Sequence, residues 1–285
     1  MTDLVRDKTL ITSSHPSRVS MSKPAPTRFS LDVKICGTSY EDATATVIEW
    51  AKAGDSRSIF AANVHTVMEA HDDQQFRDCV NAADLVTPDG MPLVWALRLQ
   101  GLRGARRVYG PDLTETVLAA AEAEGIPVGF FGGSEAVLSL LIDKVRKRFP
   151  RLPVVYHVAP PFRPLTEEED AAVISDVAES GARILFVGLG CPKQERWIAE
   201  HRNRIPAVML GVGAAFDFLA GTKAQAPDWM QGAGLEWMFR FVTEPRRLWK
   251  RYTKHNPRFL VLMLMQLMRQ RTRTLTANGS SGSIA

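Results

Sequence analysis

From about Leu31 to Ala220 the chain alternates short apolar runs with longer stretches in which apolar residues recur at helical spacing. The runs at 31–36, 58–62, 85–87, 127–131, 153–157, 183–187 and 207–210 predict strands. The stretches at 40–53, 64–82, 91–99, 112–124, 134–149, 166–180, 192–202 and 213–220 predict helices. Ser134 and the run Thr166-Glu167-Glu168-Glu169 supply helix-start signals, the second a capping box. Strands this short and continuously apolar are buried on both faces. Alternating with helices, they specify an α/β fold with a doubly wound, mostly parallel, Rossmann-like sheet.

After Gly221 the pattern changes. Ala226-Pro227 marks a joint, and two helices follow at 235–251 and 256–273 with no strand between them. The second contains the ten-residue apolar run 259–268, about half the length that crosses a bilayer. Flanked by Arg258, Arg269, Arg271 and Arg273, this helix suits a membrane interface or a partner, or packs on the protein's own core. The chain therefore divides into a polar N-terminal segment expected to be disordered (1–28), an α/β catalytic domain (29–233), a helical membrane-associating appendage (234–273) and a flexible Gly/Ser-rich tail (274–285). The N-terminal segment has no apolar core of the kind a signal peptide or spanning helix needs.

Charge sharpens this division. Between Glu236 and Arg273 stand ten Lys/Arg and two acidic residues, a local +8 in a chain of net charge +4. A mildly acidic body with one basic end points to contact with an anionic surface at that end only. The three cysteines, Cys36, Cys79 and Cys191, are widely spaced, which argues against a disulfide framework or a zinc site and fits a reducing cytoplasm.

The candidate chemistry gathers where predicted strands end. In Leu85-Val86-Thr87-Pro88-Asp89-Gly90-Met91-Pro92 a strand runs through a turn into a helix, aiming Asp89 outward at the strand's carboxyl end. Ligands of open α/β sheets bind there, so Asp89 reads either as a general base or as a cap of the turn or helix. Three glycine turns follow other strands: Phe131-Gly132-Gly133, Gly188-Leu189-Gly190-Cys191-Pro192 and Gly211-Val212-Gly213, where backbone N–H groups and a helix dipole can receive phosphate. None completes the dinucleotide fingerprint, there is no Walker A sequence, and no Asp-x-Asp follows a strand to hold a divalent metal. Cofactor and metal are accordingly both expected to be none. Lys193, Gln194 and Glu195 crowd the first helical turn after Gly188 and Gly190, as helix caps or as ligand contacts. Asn63 is an N-cap or, if its strand neighbours that of Asp89, a partner in one crevice, within reach of Arg107. His65 and His71 read as ordinary surface or packing residues.

Taken in order, Asn63-x-x-Thr66, Ala83-Asp84-Leu85-Val86-Thr87-Pro88-Asp89-Gly90-Met91-Pro92, Arg107-Val108-Tyr109-Gly110-Pro111-Asp112, Phe131-Gly132-Gly133, Gly188-Leu189-Gly190-Cys191-Pro192-Lys193-Gln194-Glu195, Gly211-Val212-Gly213-Ala214-Ala215-Phe216-Asp217, Gly234-Leu235-Glu236-Trp237 and Glu244-Pro245-Arg246-Arg247 resemble the WecG/TagA/CpsF glycosyltransferases. The resemblance spans about Leu31 to Tyr252. It implies an inverting, metal-independent transfer from a UDP-sugar to a polyprenyl-diphosphate-linked saccharide on the inner face of the bacterial cytoplasmic membrane. It implies Asp89 as general base, Asn63, Thr66, Arg107, Gln194 and Asp217 in the substrate site, and appendage arginines such as Arg247 or Arg251 completing it. One departure is Ala61, where some members carry a threonine; it bears on the donor sugar more than on the reaction. Two other readings compete: an NAD(P)-dependent oxidoreductase or nucleotide-sugar-modifying enzyme, and a non-catalytic membrane- or nucleic-acid-binding protein. The basic charge lies at one end and no nucleic-acid module is recognisable, so no nucleic-acid partner is expected; a homo-oligomer is left open.

Overall fold

The computed structural model describes residues 25–280, with positions 228, 247, 250, 251 and 273–280 as backbone only. A hairpin of β1 (Thr27–Ser30) and β2 (Val33–Cys36) leads to α1 (Tyr40–Ala53), β3 (Arg57–Ala62), α2 (Val64–Asp72), α3 (Gln74–Asn81), β4 (Leu85–Pro88), α4 (Met91–Leu99) and α5 (Gly110–Glu124). Then come β5 (Val128–Gly132), α6 (Glu135–Arg148), β6 (Val154–Val158), α7 (Glu167–Ser180), β7 (Ile184–Gly188), α8 (Lys193–His201), β8 (Val208–Gly211) and α9 (Ala215–Ala220). The short helices α10 (Asp228–Gly232) and α11 (Glu236–Thr243) precede the long α12 (Pro245–Ser280).

Six strands form one parallel sheet in the order β4-β3-β8-β7-β5-β6. Successive side chains alternate faces, so Phe130 packs with α1, α5, α6 and α9, while its neighbour Phe131 packs with α2, α3, α7 and α8. The sheet is thus covered on both sides, the doubly wound arrangement that the apolar runs predict. The chain leaves β3 outward to β4, then crosses to the far half of the sheet and works back from β6 through β7 to β8. The reversal places a crevice at the carboxyl ends of β3 and β8, where open α/β sheets bind ligands.

Three elements differ from the sequence reading, each for a local reason. The predicted strand 31–36 is the second arm of a hairpin outside the main sheet: Leu31 and Asp32 adopt left-handed φ of 51° and 67°, turning the chain so that Thr27 pairs with Cys36. Thr27 and Arg28, expected within a disordered segment, belong to β1; residues 1–24 of that segment lie outside the described residues. The predicted helix 64–82 is two helices, because Asp73 ends α2 in an extended conformation and caps α3, its Oδ1 accepting from Phe76 N at 2.9 Å.

The third difference concerns the appendage. Its break falls at Glu244-Pro245, not between Arg251 and Asn256: Pro245 forces its predecessor out of helical conformation and then opens α12. Residues 252–255, read as a connection, continue the helix because His255 is buried against the body. α12 passes Pro257 without a break, anchored by buried Phe259 and Met263. Gln266 also clamps the hairpin, accepting from Leu31 N at 2.8 Å and donating to the Phe29 carbonyl at 2.7 Å. α12 reaches Ser280, past the start of the expected flexible tail; residues 281–285 lie outside the described residues. Among the described residues no helix is long and apolar enough to cross a membrane.

Candidate active site

The parallel register pairs Ala62 with Pro88, so the residues that follow, Asn63 and Asp89, emerge side by side from β3 and β4. Asp89 N still donates to the Ala62 carbonyl at 2.8 Å, which fixes the carboxylate at the sheet's edge. The N-cap of α4 is Gly90, with no side-chain cap bond, so Asp89 does not cap its own helix. Its Oδ1 instead accepts from Gly110 N at 2.9 Å, at the start of α5, and its Oδ2 accepts from Asn63 Nδ2 at 3.3 Å.

Asn63 does both of the jobs the sequence allowed. Its Oδ1 caps α2, accepting from His65 N and Thr66 N, while Thr66 completes the capping box through its hydroxyl. The cap leaves the amide's N–H group facing Asp89. A single side chain therefore ties the carboxylate to a helix start.

Asp89 is half-buried, and burial pushes its pKa above the ordinary 3.8, opposed by the positive charge of Arg107 and by the bonds from Gly110 and Asn63. Arg107 donates its Nε to the Asp89 carbonyl at 2.7 Å, its Nη1 to Gln231 Oε1 at 3.2 Å and its Nη2 to Glu236. The guanidinium also lies over the Tyr109 ring, 4.1 Å from its centroid. Arg107 thus reaches the same crevice as Asp89 and Asn63, and does so pinned by the appendage.

Across the crevice the turn after β7 is set by Gly190, whose φ of +79° disfavours any side chain. Gln194, 4% exposed on α8, accepts from Gly190 N at 3.1 Å through Oε1 and donates its Nε2 to Glu195 Oε1 at 3.0 Å. Gly211 is packed closely for a different reason: a Cβ there would lie 3.2 Å from Gln194 Nε2, which would have to give by a few tenths of an ångström. Asp89, Asn63, Thr66, Gly190, Gln194, Glu195 and Gly213 together border a cavity of about 180 Å³ at the reversal of the sheet.

A second cavity, of about 100 Å³, opens on the other side of Asp89 toward the appendage. Asn63 and Asp89 border both cavities, and Arg240 of α11 does too. The carboxylate therefore stands in the wall between two chambers. Arg240, Glu236, Gln231 and Tyr109 were not singled out from sequence as site residues, although the spacing of Glu236 and Arg240 on one face of a helix was a readable signal.

Other predicted site residues lie elsewhere. Gly188 and Lys193 border a third, larger cavity of about 550 Å³ with Phe131, Trp197 and the loop 160–166. Gly188 must be glycine there because a Cβ would come 2.7 Å from the Phe216 ring. Asp217 pairs with Lys223 at 3.0 Å and borders none of these three cavities. Arg247 and Arg251 stand on α12 with their side chains outside the described residues. His65, read as an ordinary packing residue, meets His255 and Glu69 beside the second cavity.

A family model described as the glycosyl transferase WecG/TagA/CpsF family matches residues 29–273 of this chain. The matched span takes in most of the hairpin, the sheet, both Asp89 cavities and most of the appendage.

Proposed function

The chain belongs to the WecG/TagA/CpsF family of glycosyltransferases, and from that premise we propose that it transfers a sugar, with inversion, from a UDP-sugar to a polyprenyl-diphosphate-linked saccharide at an anionic membrane surface. Membership displaces both the oxidoreductase and the non-catalytic reading. The observation that carries the finer proposal is the position of Asp89, in the wall between a glycine-turn cavity and a cavity facing the appendage.

In this reading the nucleotide diphosphate lies in the glycine-turn cavity, where Gly190 and Gly213 open room for backbone N–H groups to meet phosphate. The acceptor hydroxyl enters from the appendage side. It attacks the anomeric carbon opposite the leaving group, its proton passes to Asp89 Oδ2, and the C–O bond to the diphosphate breaks with its electron pair staying on UDP. Arg240, bordering both cavities, meets the charge that develops on the diphosphate, with Arg107 reaching toward it from the appendage-side cavity and Arg247 and Arg251 as further candidates. No metal is assigned to that step. Asn63 and Gln194 orient the sugar and the turn; Lys193, Glu195 and Asp217 remain donor contacts to be tested by substitution.

The appendage supports the lipid side of the proposal. Trp237, Met238 and Val242 of α11 and Leu260, Val261, Leu264, Met265 and Met268 of α12 are exposed, among ten basic residues between positions 236 and 273. An apolar stripe edged with arginine suits the inner, anionic leaflet of a bacterial cytoplasmic membrane. Residues 29–233 then form the catalytic unit and 234–273 its membrane-facing cover.

A panel of UDP-sugars offered with a polyprenyl-diphosphate-linked saccharide in mixed micelles, with the product linkage determined by NMR, tests the proposal. Transfer that inverts the anomeric configuration and is lost in Asp89→Asn is the expected result. A product with retained configuration overturns it.

A further inference from the structure

The contact between α2 and α12 holds a side-chain cluster that the transfer reading does not use. His65 and Glu69 lie one helical turn apart on α2, and His255 faces them from α12, 190 positions later in the chain. His65 Nδ1 is 3.6 Å and His255 Nε2 is 3.4 Å from the same Glu69 oxygen, and the three donor atoms lie within 4.8 Å of one another. The neighbouring carboxylate, Asp72, is taken by Arg258 at 2.6 Å.

We propose that His65, Glu69 and His255 bind a divalent metal, best matched by Zn²⁺, which clasps the C-terminal helix to the body beside the Asp89 cavities. Ligands at about 2.0–2.2 Å from a tetrahedral zinc stand roughly 3.3–3.5 Å apart, which the two Glu69 separations nearly meet, and all three ligand atoms lie within 4.8 Å of one another. Two imidazoles and one carboxylate suit a borderline cation, whereas Mg²⁺ and Ca²⁺ prefer oxygen ligands alone. Both histidines border the cavity of about 100 Å³, so the fourth position opens on space large enough for a water molecule. The metal's work is mechanical: it links two helices that otherwise meet through exposed ion pairs and the packing of Phe259 and Met263.

The test uses the untagged full-length chain, stripped with a chelator, reloaded with ZnCl₂ and dialysed. Elemental analysis is expected to give one zinc per chain, and the stripped chain reloaded with Co²⁺ is expected to show a tetrahedral absorption spectrum that Zn²⁺, but not excess Mg²⁺, abolishes. Glu69→Gln, His65→Asn and His255→Gln should each weaken zinc binding by roughly 100-fold in competition with a chromophoric chelator, since a lost ligand costs at least as much as the 10–100-fold typical of its outer-shell supports. His255→Cys, which keeps a ligand, should retain the metal and guards against variants that merely unfold; replacing all three cysteines by serine should change nothing. Chelation should also speed tryptic cleavage within α12. Substoichiometric zinc, zinc undiminished in Glu69→Gln and His255→Gln, or proteolysis indifferent to zinc overturns the proposal. Metal content is measured without sugar transfer, so failure of the transfer reading leaves this test intact.

Discussion

Arg107, on the loop before α5, and Glu236, on the first turn of α11, form an ion pair across 129 positions of sequence, with side chains only 14% and 12% exposed. The same guanidinium holds the Asp89 carbonyl, so the appendage is wired to the candidate base through one residue. Two consequences follow: the pair stabilises the docked appendage, and Glu236 competes with any diphosphate for Arg107.

Removing one member of a partly buried pair leaves the other charge without its partner, at a cost on the order of 3 kcal/mol. Arg107→Ala and Glu236→Ala should each lower stability on that scale. The double variant should cost less than the two single effects added together, by at least about 1 kcal/mol. Urea denaturation of the four proteins checks this, and strict additivity would show that the pair is not coupled. In the same series Glu236→Ala should tighten UDP binding by calorimetry while Arg107→Ala weakens it.

Asp89→Asn keeps an oxygen for Gly110 N, removes the charge and sets an amide NH₂ against Asn63 Nδ2 where Oδ2 accepted. If Asp89 is the base, kcat falls by roughly 10²–10⁴-fold, while the dissociation constant for the UDP-sugar changes little. Rapid-quench turnover and calorimetry on one preparation separate the two quantities. A variant that loses donor affinity and keeps kcat would reassign Asp89 to binding.

Because burial raises its pKa above 3.8, Asp89 favours folding when protonated. That contribution is fully present below pH 3.8 and is lost as pH rises through the raised value, so near neutrality the wild-type protein holds a costly charge. Asp89→Asn should therefore be more stable relative to wild type at pH 7 than at pH 3, by thermal denaturation in matched buffers. The acid limb of the pH–rate profile should lie above 3.8 for the same reason, since the base acts deprotonated. A difference in stability that does not change with pH would show that Asp89 is not desolvated.

The six strands of the main sheet, the helix bounds of α1 and α4, and the caps at Ser134 and Thr166 were legible because each is written in adjacent residues. The rule that parallel strands bind ligands at their carboxyl ends pointed Asn63 and Asp89 to one crevice on the condition that their strands are neighbours, which the β3–β4 register meets, whereas Gln194 was readable only as a helix cap or a ligand contact. What escaped was set by φ values or by distance. The reversal at Leu31-Asp32 needs two left-handed residues that carry no glycine signal. The meeting of His65 with His255, and of Arg107 with Glu236, depends on where α11 and α12 dock, which local periodicity does not encode. Pro245 was a readable stop inside the predicted helix 235–251.

α12 presents two faces with different duties, and they can be probed separately. Phe259 and Met263 are 2% and 5% exposed against the body, whereas Leu260, Leu264 and Met268 are 62%, 60% and 61% exposed on one stripe at four-residue spacing. Placing glutamate at all three exposed positions should leave the thermal midpoint close to wild type, since exposed substitutions typically change stability by less than about 0.5 kcal/mol each. It should remove about 1 kcal/mol of apolar burial per residue from a membrane interface, roughly a 100-fold loss in partitioning to anionic vesicles. Met263→Glu should do the reverse, destabilising the fold because it buries a charge. Vesicle flotation with and without anionic lipid, at low and high salt, reads the first effect, and denaturation reads the second. If the triple variant floats with anionic vesicles as wild type does, the stripe is not the membrane contact, and the basic residues of the appendage alone would have to account for binding.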